Sequence, residues 1–317
     1  MKRISLVSVF LLASLFSNAQ LNGQYSQFMM NDYGLNPAIA GNSTGWYAMV
    51  GRRVQWGGFE YAPETNFASV TRAFGKKGYK RYWHGLGAYF EQDKFGIFSN
   101  KSLYASYAIH LKASSKYHLG FGVAGGIKTY AVTNGIYDAN DPALLNRNQK
   151  VIVPDFIPGL YLYSRKLVAG ISVRNLYSNK LQQGSQKIGT NNKILPNAYF
   201  TVSRKFVTGG YDFIIVPSIH VQTNFVSIPV SSANCMVYYR KRVGLGVSYR
   251  MHDAVVGMIQ VRVFSNVVVG FSYDYTISKF RVGNANSTEI MMGMSPVMSN
   301  ETYDRPGGMV DCPRFEL

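Results

Sequence analysis

Val267-Val268-Val269-Gly270-Phe271-Ser272-Tyr273-Asp274-Tyr275-Thr276-Ile277 alternates with a period of two. Val267, Val269, Phe271, Tyr273, Tyr275 and Ile277 fall on one face, and Gly270, Ser272, Asp274 and Thr276 on the other, as successive side chains of a β-strand do. The pattern recurs. Leu103, Ala105, Tyr107, Ile109 and Leu111 oppose Ser102, Ser106, His110 and Lys112, and Val243, Leu245, Val247, Tyr249 and Met251 oppose Gly244, Gly246, Ser248 and Arg250. Many strands with one fatty and one polar or tiny face, in a chain that begins with an export signal, call for a barrel closed in a membrane. An open strand edge cannot be hydrated in lipid.

The predicted strands are 45–53, 64–74, 82–93, 99–112, 116–131, 156–165, 167–176, 195–205, 210–223, 232–240, 243–251, 254–264, 267–278 and 286–294. Counted from the first, the longest connections (132–155 and 177–194) follow odd strands, while even strands end in tight turns such as Arg165-Lys166, Lys241-Arg242 and Ser265-Asn266. Short turns on one side and long loops on the other are the rule for membrane barrels. The expectation is all-β: one antiparallel barrel of about 14 strands, with 12 or 16 the neighbouring counts and 177–235 the stretch where a hairpin could be added or removed. Two soluble β-sandwiches are the competing reading, but no shift in composition marks a boundary between them.

Lys2 and Arg3 precede the apolar run Ile4 to Phe16, and Ser17-Asn18-Ala19 supplies small residues before Gln20. Residues 1–19 therefore read as a cleavable signal peptide, and the chain as destined for the outer membrane. Residues 20–44, which lack a strand pattern, read as an N-terminal arm or plug packed in the lumen; 45–294 is the barrel and 295–317 a periplasmic tail. The chain has 33 Lys+Arg against 16 Asp+Glu. The cations are spread through strands and turns, which argues against nucleic acid and for outer-membrane lipid, lipopolysaccharide or acidic protein partners. Cys235 and Cys312 form no metal motif, and whether they pair is open. His84, His110, His118, His220 and His252 lie on different strands without metal-ligand spacing, and no Ser/His pair stands out. No cofactor or enzymatic activity is expected.

Two blocks are too polar or too rich in Gly and Trp for plain strands. Asn36-Pro37, followed by Gly41, suits a capped turn in the arm, and Arg53 to Phe59 includes Trp56, a gap-filler or interface residue. Arg53 would pair with a carboxylate in the lumen. Together Asn36, Pro37, Gly41, Arg53, Trp56 and Phe59 form a candidate plug motif. Gly120, Gly122, Gly125 and Gly126 read as bends or as points where an inserted segment comes close.

Several segments carry a family resemblance. Gln24-Tyr25-Ser26-Gln27-Phe28-Met29 with Leu35-Asn36-Pro37-Ala38-Ile39-Ala40-Gly41, Arg53-Val54-Gln55-Trp56-Gly57-Gly58-Phe59 with Ala62-Pro63-Glu64-Thr65, and Tyr273-Asp274-Tyr275-Thr276-Ile277-Ser278 are similar to the PorP/SprF family. Cys312-Pro313-Arg314-Phe315 resembles its frequent tail. The resemblance spans nearly the whole mature chain and implies an outer-membrane component of the type IX secretion system of Bacteroidetes. It implies as partners a secreted cargo with a C-terminal sorting domain, such as a surface or gliding adhesin, and a periplasmic peptidoglycan-binding lipoprotein of the motor. A passive porin for small solutes is the alternative.

The turn Gly75-Lys76-Lys77-Gly78-Tyr79-Lys80-Arg81 lies, by strand parity, on the periplasmic side. With the tail it is a candidate docking face for the lipoprotein, against the plainer reading of a solvated charged turn. Charge reversal at Lys76, Lys77, Lys80 and Arg81 should abolish copurification of the lipoprotein, and retained binding would rule out this turn as the dock.

Overall fold

The computed structural model describes residues 23–42, 45–75, 81–132, 150–176, 182–183, 186–187, 194–208, 213–264, 266–278 and 285–294. The arm contains one helical turn, α1 (Asp32–Leu35), and a 3₁₀ turn at Pro37–Ile39. The strands are β1 (Trp46–Val54), β2 (Glu64–Phe74), β3 (Tyr82–Phe95), β4 (Phe98–Lys112), β5 (His118–Val132), β6 (Lys150–Tyr163) and β7 (Leu167–Arg174). A small hairpin, β8 (Gln182–Gln183) and β9 (Gln186–Lys187), stands apart as its own ladder. There follow β10 (Asn197–Arg204), β11 (Phe206–Thr208), β12 (Phe213–Thr223), β13 (Val230–Tyr239), β14 (Val243–Arg250), β15 (Ala254–Phe264), β16 (Val267–Thr276) and β17 (Ser287–Met294).

The ladder closes on itself. β1 pairs with both β2 and β17, and β10 bridges β7 and β12, every pair antiparallel. β10 and β11 are two pieces of one strand interrupted at Lys205, and both lie along β12. The result is a closed barrel of 14 strands, as the alternation predicts, and the two-sandwich reading falls. The predicted sixth strand, 156–165, is the largest difference: β6 runs from Lys150 to Tyr163. Pro154 and Pro158 make its first half look broken. That half pairs only with β5, and the β7 ladder starts at Gly159, so the prolines fall where no β7 carbonyl awaits a donor.

Alternation becomes two surfaces. In β4 the inward residues Asn100, Ser102, Tyr104, Ser106, Ala108 and His110 are buried, while Leu103 and Tyr107 face out, 54% and 45% exposed. The outer face is apolar all round, with Val70, Leu86, Ile127, Val202, Leu245 and Ile290 among its exposed residues. A continuous apolar surface of this extent is stable only against lipid. β4 has 15 residues, more than the 9–11 or so that a tilted strand needs to span hydrocarbon. β3 to β6 thus stand taller than β7 and β10, which have 8 residues each.

The arm crosses the lumen from end to end. Gly23 lies beside Thr65 and Asp93, at the ends of β2 and β3 nearest the long connections, and Gly41 lies beside Gly85, near the end with the short turns. Its seat is made of glycine. A Cβ at Gly85 would overlap the Ala40 carbonyl, one at Gly122 the Ala38 backbone, and one at Gly159 the Asn36 side chain. Gly41 has φ +74° and meets Gly85 backbone to backbone, so neither position tolerates a side chain. Gly125, on the outer face, has nothing within 4 Å of a built Cβ.

Gly122→Val should therefore dislodge the arm and lower stability by about 1–3 kcal/mol, the usual range for overpacking. Gly125→Ala should leave it unchanged. Urea unfolding midpoints in detergent, compared for the two variants, check this.

Candidate functional site

The lumen holds the site, and Ser26 is its centre. The Ser26 hydroxyl lies 2.7 and 2.8 Å from the two Asp274 carboxylate oxygens and donates to that group. It accepts from Arg53 Nη1 at 2.9 Å and Arg250 Nη2 at 2.7 Å. The backbone N–H groups of Ser26 and Gln27 donate to the two oxygens of Glu289 at 3.0 and 2.8 Å, and Asn234 Nδ2 donates to the Ser26 carbonyl at 3.2 Å. Around this serine Arg53 pairs with Asp274 (2.7 Å) and Glu289 (3.3 Å), and Arg250 with Asp274 (3.2 Å) and Asp253 (3.0 Å). Arg53, Arg250, Asp274 and Glu289 come from β1, β14, β16 and β17, at the inward positions that period two assigns them. All four are buried, and each charge is matched by an opposite charge and by hydrogen bonds, the condition under which buried ions are tolerated.

A second cluster fixes the arm to the opposite wall. The Tyr25 and Tyr89 hydroxyls donate to Glu91 Oε2 at 2.7 and 2.6 Å, and Arg174 Nη1 donates to Glu91 Oε1 at 3.2 Å. Arg174 also donates to the Gly34 carbonyl and lies over the rings of Tyr89, Tyr104 and Tyr199. Beside it Lys128 pairs with Asp155 at 3.4 Å. At the short-turn end Trp83 Nε1 donates to the Gly41 carbonyl (3.0 Å), His110 Nε2 meets the Ala40 carbonyl (2.7 Å), and Trp83 stacks on His110.

The candidate plug residues fall in three places. Asn36 Oδ1 accepts from Ala38 N at 3.0 Å, capping the turn that Pro37 begins, while its Nδ2 donates to the Leu160 and Ile171 carbonyls of β6 and β7. Asn36, Pro37 and Gly41 thus bind the arm to the wall. Arg53 belongs to the Ser26 cluster. Trp56 and Phe59 lie in the rim loop between β1 and β2, held to the start of β17 by Trp56 N to Ser287 Oγ and to the residue before it by Gly57 N to the Asn286 carbonyl. Of the candidate docking cations, Arg81 is exposed at the short-turn end; Lys76, Lys77 and Lys80 lie outside the described residues, as do the signal segment and the tail. Ser26, Glu91, Arg174 and Glu289 were not among the sequence candidates. Charged residues at inward strand positions were the signal for the last three; for Ser26 it was its place in the Gln24–Met29 segment that resembles the family. No group of three or more His, Cys, Asp or Glu among the described residues is placed to hold a metal.

At the long-loop rim Tyr61 is 62% exposed and its carbonyl accepts from Gly96 N, which brings Tyr61 next to the stacked pair Phe95–Phe98; Phe59, also exposed, lies two residues before it. Inside the lumen the arm leaves a cavity of about 70 Å³ near the short-turn end, lined by Leu35, Ile39, Tyr161, Tyr199, Ile214 and Tyr238.

A closed antiparallel barrel with an apolar outside, and a lumen stoppered by its own N-terminal arm, defines a membrane β-barrel of the plugged kind. Residues 17–294 match the family described as type IX secretion system membrane protein PorP/SprF, and the chain belongs to that family. No curated protein sequence matches it. Among solved structures it is similar to the toluene transporter TbuX of Ralstonia pickettii, with 11% identity, a TM-score of 0.48, and 84% of this chain and 91% of that one covered. For the toluene transporter TodX of Pseudomonas putida the values are 10%, 0.45, 86% and 93%. For the translocator domain of the autotransporter NalP from Neisseria meningitidis they are 11%, 0.41, 84% and 92%.

Asp274→Asn would leave Arg53 and Arg250 short of their shared anion. Removing one partner of a buried charge set costs about 3–5 kcal/mol, and guanidinium unfolding in detergent should show a loss of that size. Arg52→Gln, whose partner is the partly exposed Glu64, should cost less than about 1 kcal/mol.

Proposed function

We propose that the protein is exported by its N-terminal signal and works in the outer membrane as a type IX secretion component. In this role it supports secretion or surface attachment of proteins with a C-terminal sorting domain, including gliding adhesins, by binding proteins and without covalent chemistry. The observation that carries this reading is the stoppered lumen. An arm held by two buried charge clusters and a glycine seat leaves the two rims, not a pore, as working surfaces. The long loops would face outward, with Phe59, Tyr61, Phe95 and Phe98 as an aromatic contact for cargo; aromatic side chains dominate protein interfaces. The short turns would face the periplasm and the peptidoglycan-binding lipoprotein.

Passive transport of small solutes is the second reading, favoured by the cavity beside the arm. Affinity capture of the tagged protein from gently solubilised membranes, followed by mass spectrometry, separates the two. Recovery of a large secreted protein or of the lipoprotein is the expected result, and Phe59→Ser with Tyr61→Ser should reduce cargo recovery several-fold. A barrel recovered alone that conducts in planar bilayers would favour transport. Deletion of residues 21–44 should raise conductance above that of the full chain; an unchanged current would mean that the arm does not seal the lumen.

A further inference from the structure

Exposed cations lie at both ends of this barrel, with Arg52, Lys94, Lys101 and Lys150 toward the long-loop end. Arg72, Arg81, Lys112, Lys116, Lys166 and Arg204 are exposed cations at the short-turn end. The only acidic residue among the described residues in the exposed class is Glu60, in the β1–β2 loop at the other end. Asp32, near the cavity at the short-turn end, is half-buried within the lumen.

The same end carries exposed aromatic side chains on its outer surface, among them Phe74, Tyr82, Phe206, Phe213, Tyr239 and Phe264. Three arginines lie over members of this girdle. Arg72 Cζ is 5.1 Å from the Phe74 ring centre, Arg204 Cζ is 5.0 Å from that of Phe206, and Arg240 Cζ is 5.3 Å from that of Tyr239. Arg72 and Phe74 are two residues apart and both exposed, as are Arg204 and Phe206. Two-residue spacing on a strand puts both members on one face, so these guanidinium groups lie on the lipid side of the wall. Among the described residues no carboxylate is paired with Arg72 or Arg204. β10 and β13 are separated by β12 alone, while β2 lies on the far side of the ring, so Arg204 and Arg240 stand near one another and Arg72 lies opposite them.

A cation on the lipid face is tolerated only where it reaches the interface, and the groups available there are headgroups. A guanidinium carries its N–H donors in a planar fork that fits a phosphate. We propose that the short-turn rim is a belt that binds the phosphates of anionic phospholipids in the adjoining leaflet, with Arg72, Arg204 and Arg240 as its stacked contacts. An acidic protein would be met by cations gathered on one side or over the lumen mouth, not by outward-facing arginines on opposite sides of the wall, Arg72 on β2 and Arg204 on β10. The belt fixes the depth and tilt at which the barrel sits, whichever protein its rims engage.

The test is native mass spectrometry of the full chain released from nanodiscs of phosphatidylcholine containing a minority of phosphatidylglycerol. Phosphatidylglycerol should be enriched among the retained lipids by roughly five-fold, the factor one near-surface cation gives. Arg72→Gln, Arg204→Gln and Arg240→Gln together should return the ratio to that of the bulk, while Arg52→Gln at the opposite end leaves it unchanged. Should the triple variant fail to fold, each single variant gives the same reading in smaller steps. No enrichment in the unmodified protein, or the same enrichment in the variants, would overturn the proposal. Release of the lipid by soluble polyglutamate would overturn it in favour of an acidic protein partner.

Discussion

A backbone N–H or C=O that faces hydrocarbon without a partner costs several kcal/mol, and this constraint shapes the barrel. It explains why β1 must find β17, and why β10 and β11 continue the ladder past Lys205. It also explains why the half of β6 that β7 does not cover carries Pro154 and Pro158, which remove donors that would otherwise lack an acceptor. Closure then produces a second problem. A ring of 14 strands encloses more space than its own side chains fill. The protein solves it by placing residues 23–42 inside.

The arm and the wall are fitted by two opposite devices. At the short-turn half the wall is stripped to glycine, and the arm presents small or capped residues, Asn36, Pro37, Ala38, Ala40 and Gly41, so backbone packs on backbone. At the long-loop half the wall presents full charges, and the arm answers with the hydroxyl and amide groups of Ser26, Gln27 and Tyr25. The first device sets position through shape. The second sets it through directional bonds that water cannot replace once the lumen is closed.

Much of this could be read from the residues. Strands such as β4, β14 and β16 are legible because one face must meet lipid and the other cannot, so nearly every second residue is constrained. β6 was legible only in part, since a proline reads as a break until it is known which edge it faces. Asn36 and Arg53 were noticeable because their polarity does not suit a plain strand. Glu91, Arg174 and Glu289 lie at inward positions, but alternation says which way a side chain points, not which distant strand it meets. Ser26 was legible only as one residue of the Gln24–Met29 segment, which does not say what it does. A serine among polar neighbours looks like any loop residue, and its weight comes from β1, β13, β14, β16 and β17 converging on it.

The arm is continuous with β1 and runs through the ring that β1 and β17 complete. A chain end cannot easily be threaded through a finished ring lined with buried ion pairs. The stopper is topologically retained: it can loosen, but to leave it must be drawn back past its own charge clusters or wait for the ring to open. Arm and wall thus belong to one continuous chain, and the way out for the arm is blocked by the same side chains that hold it.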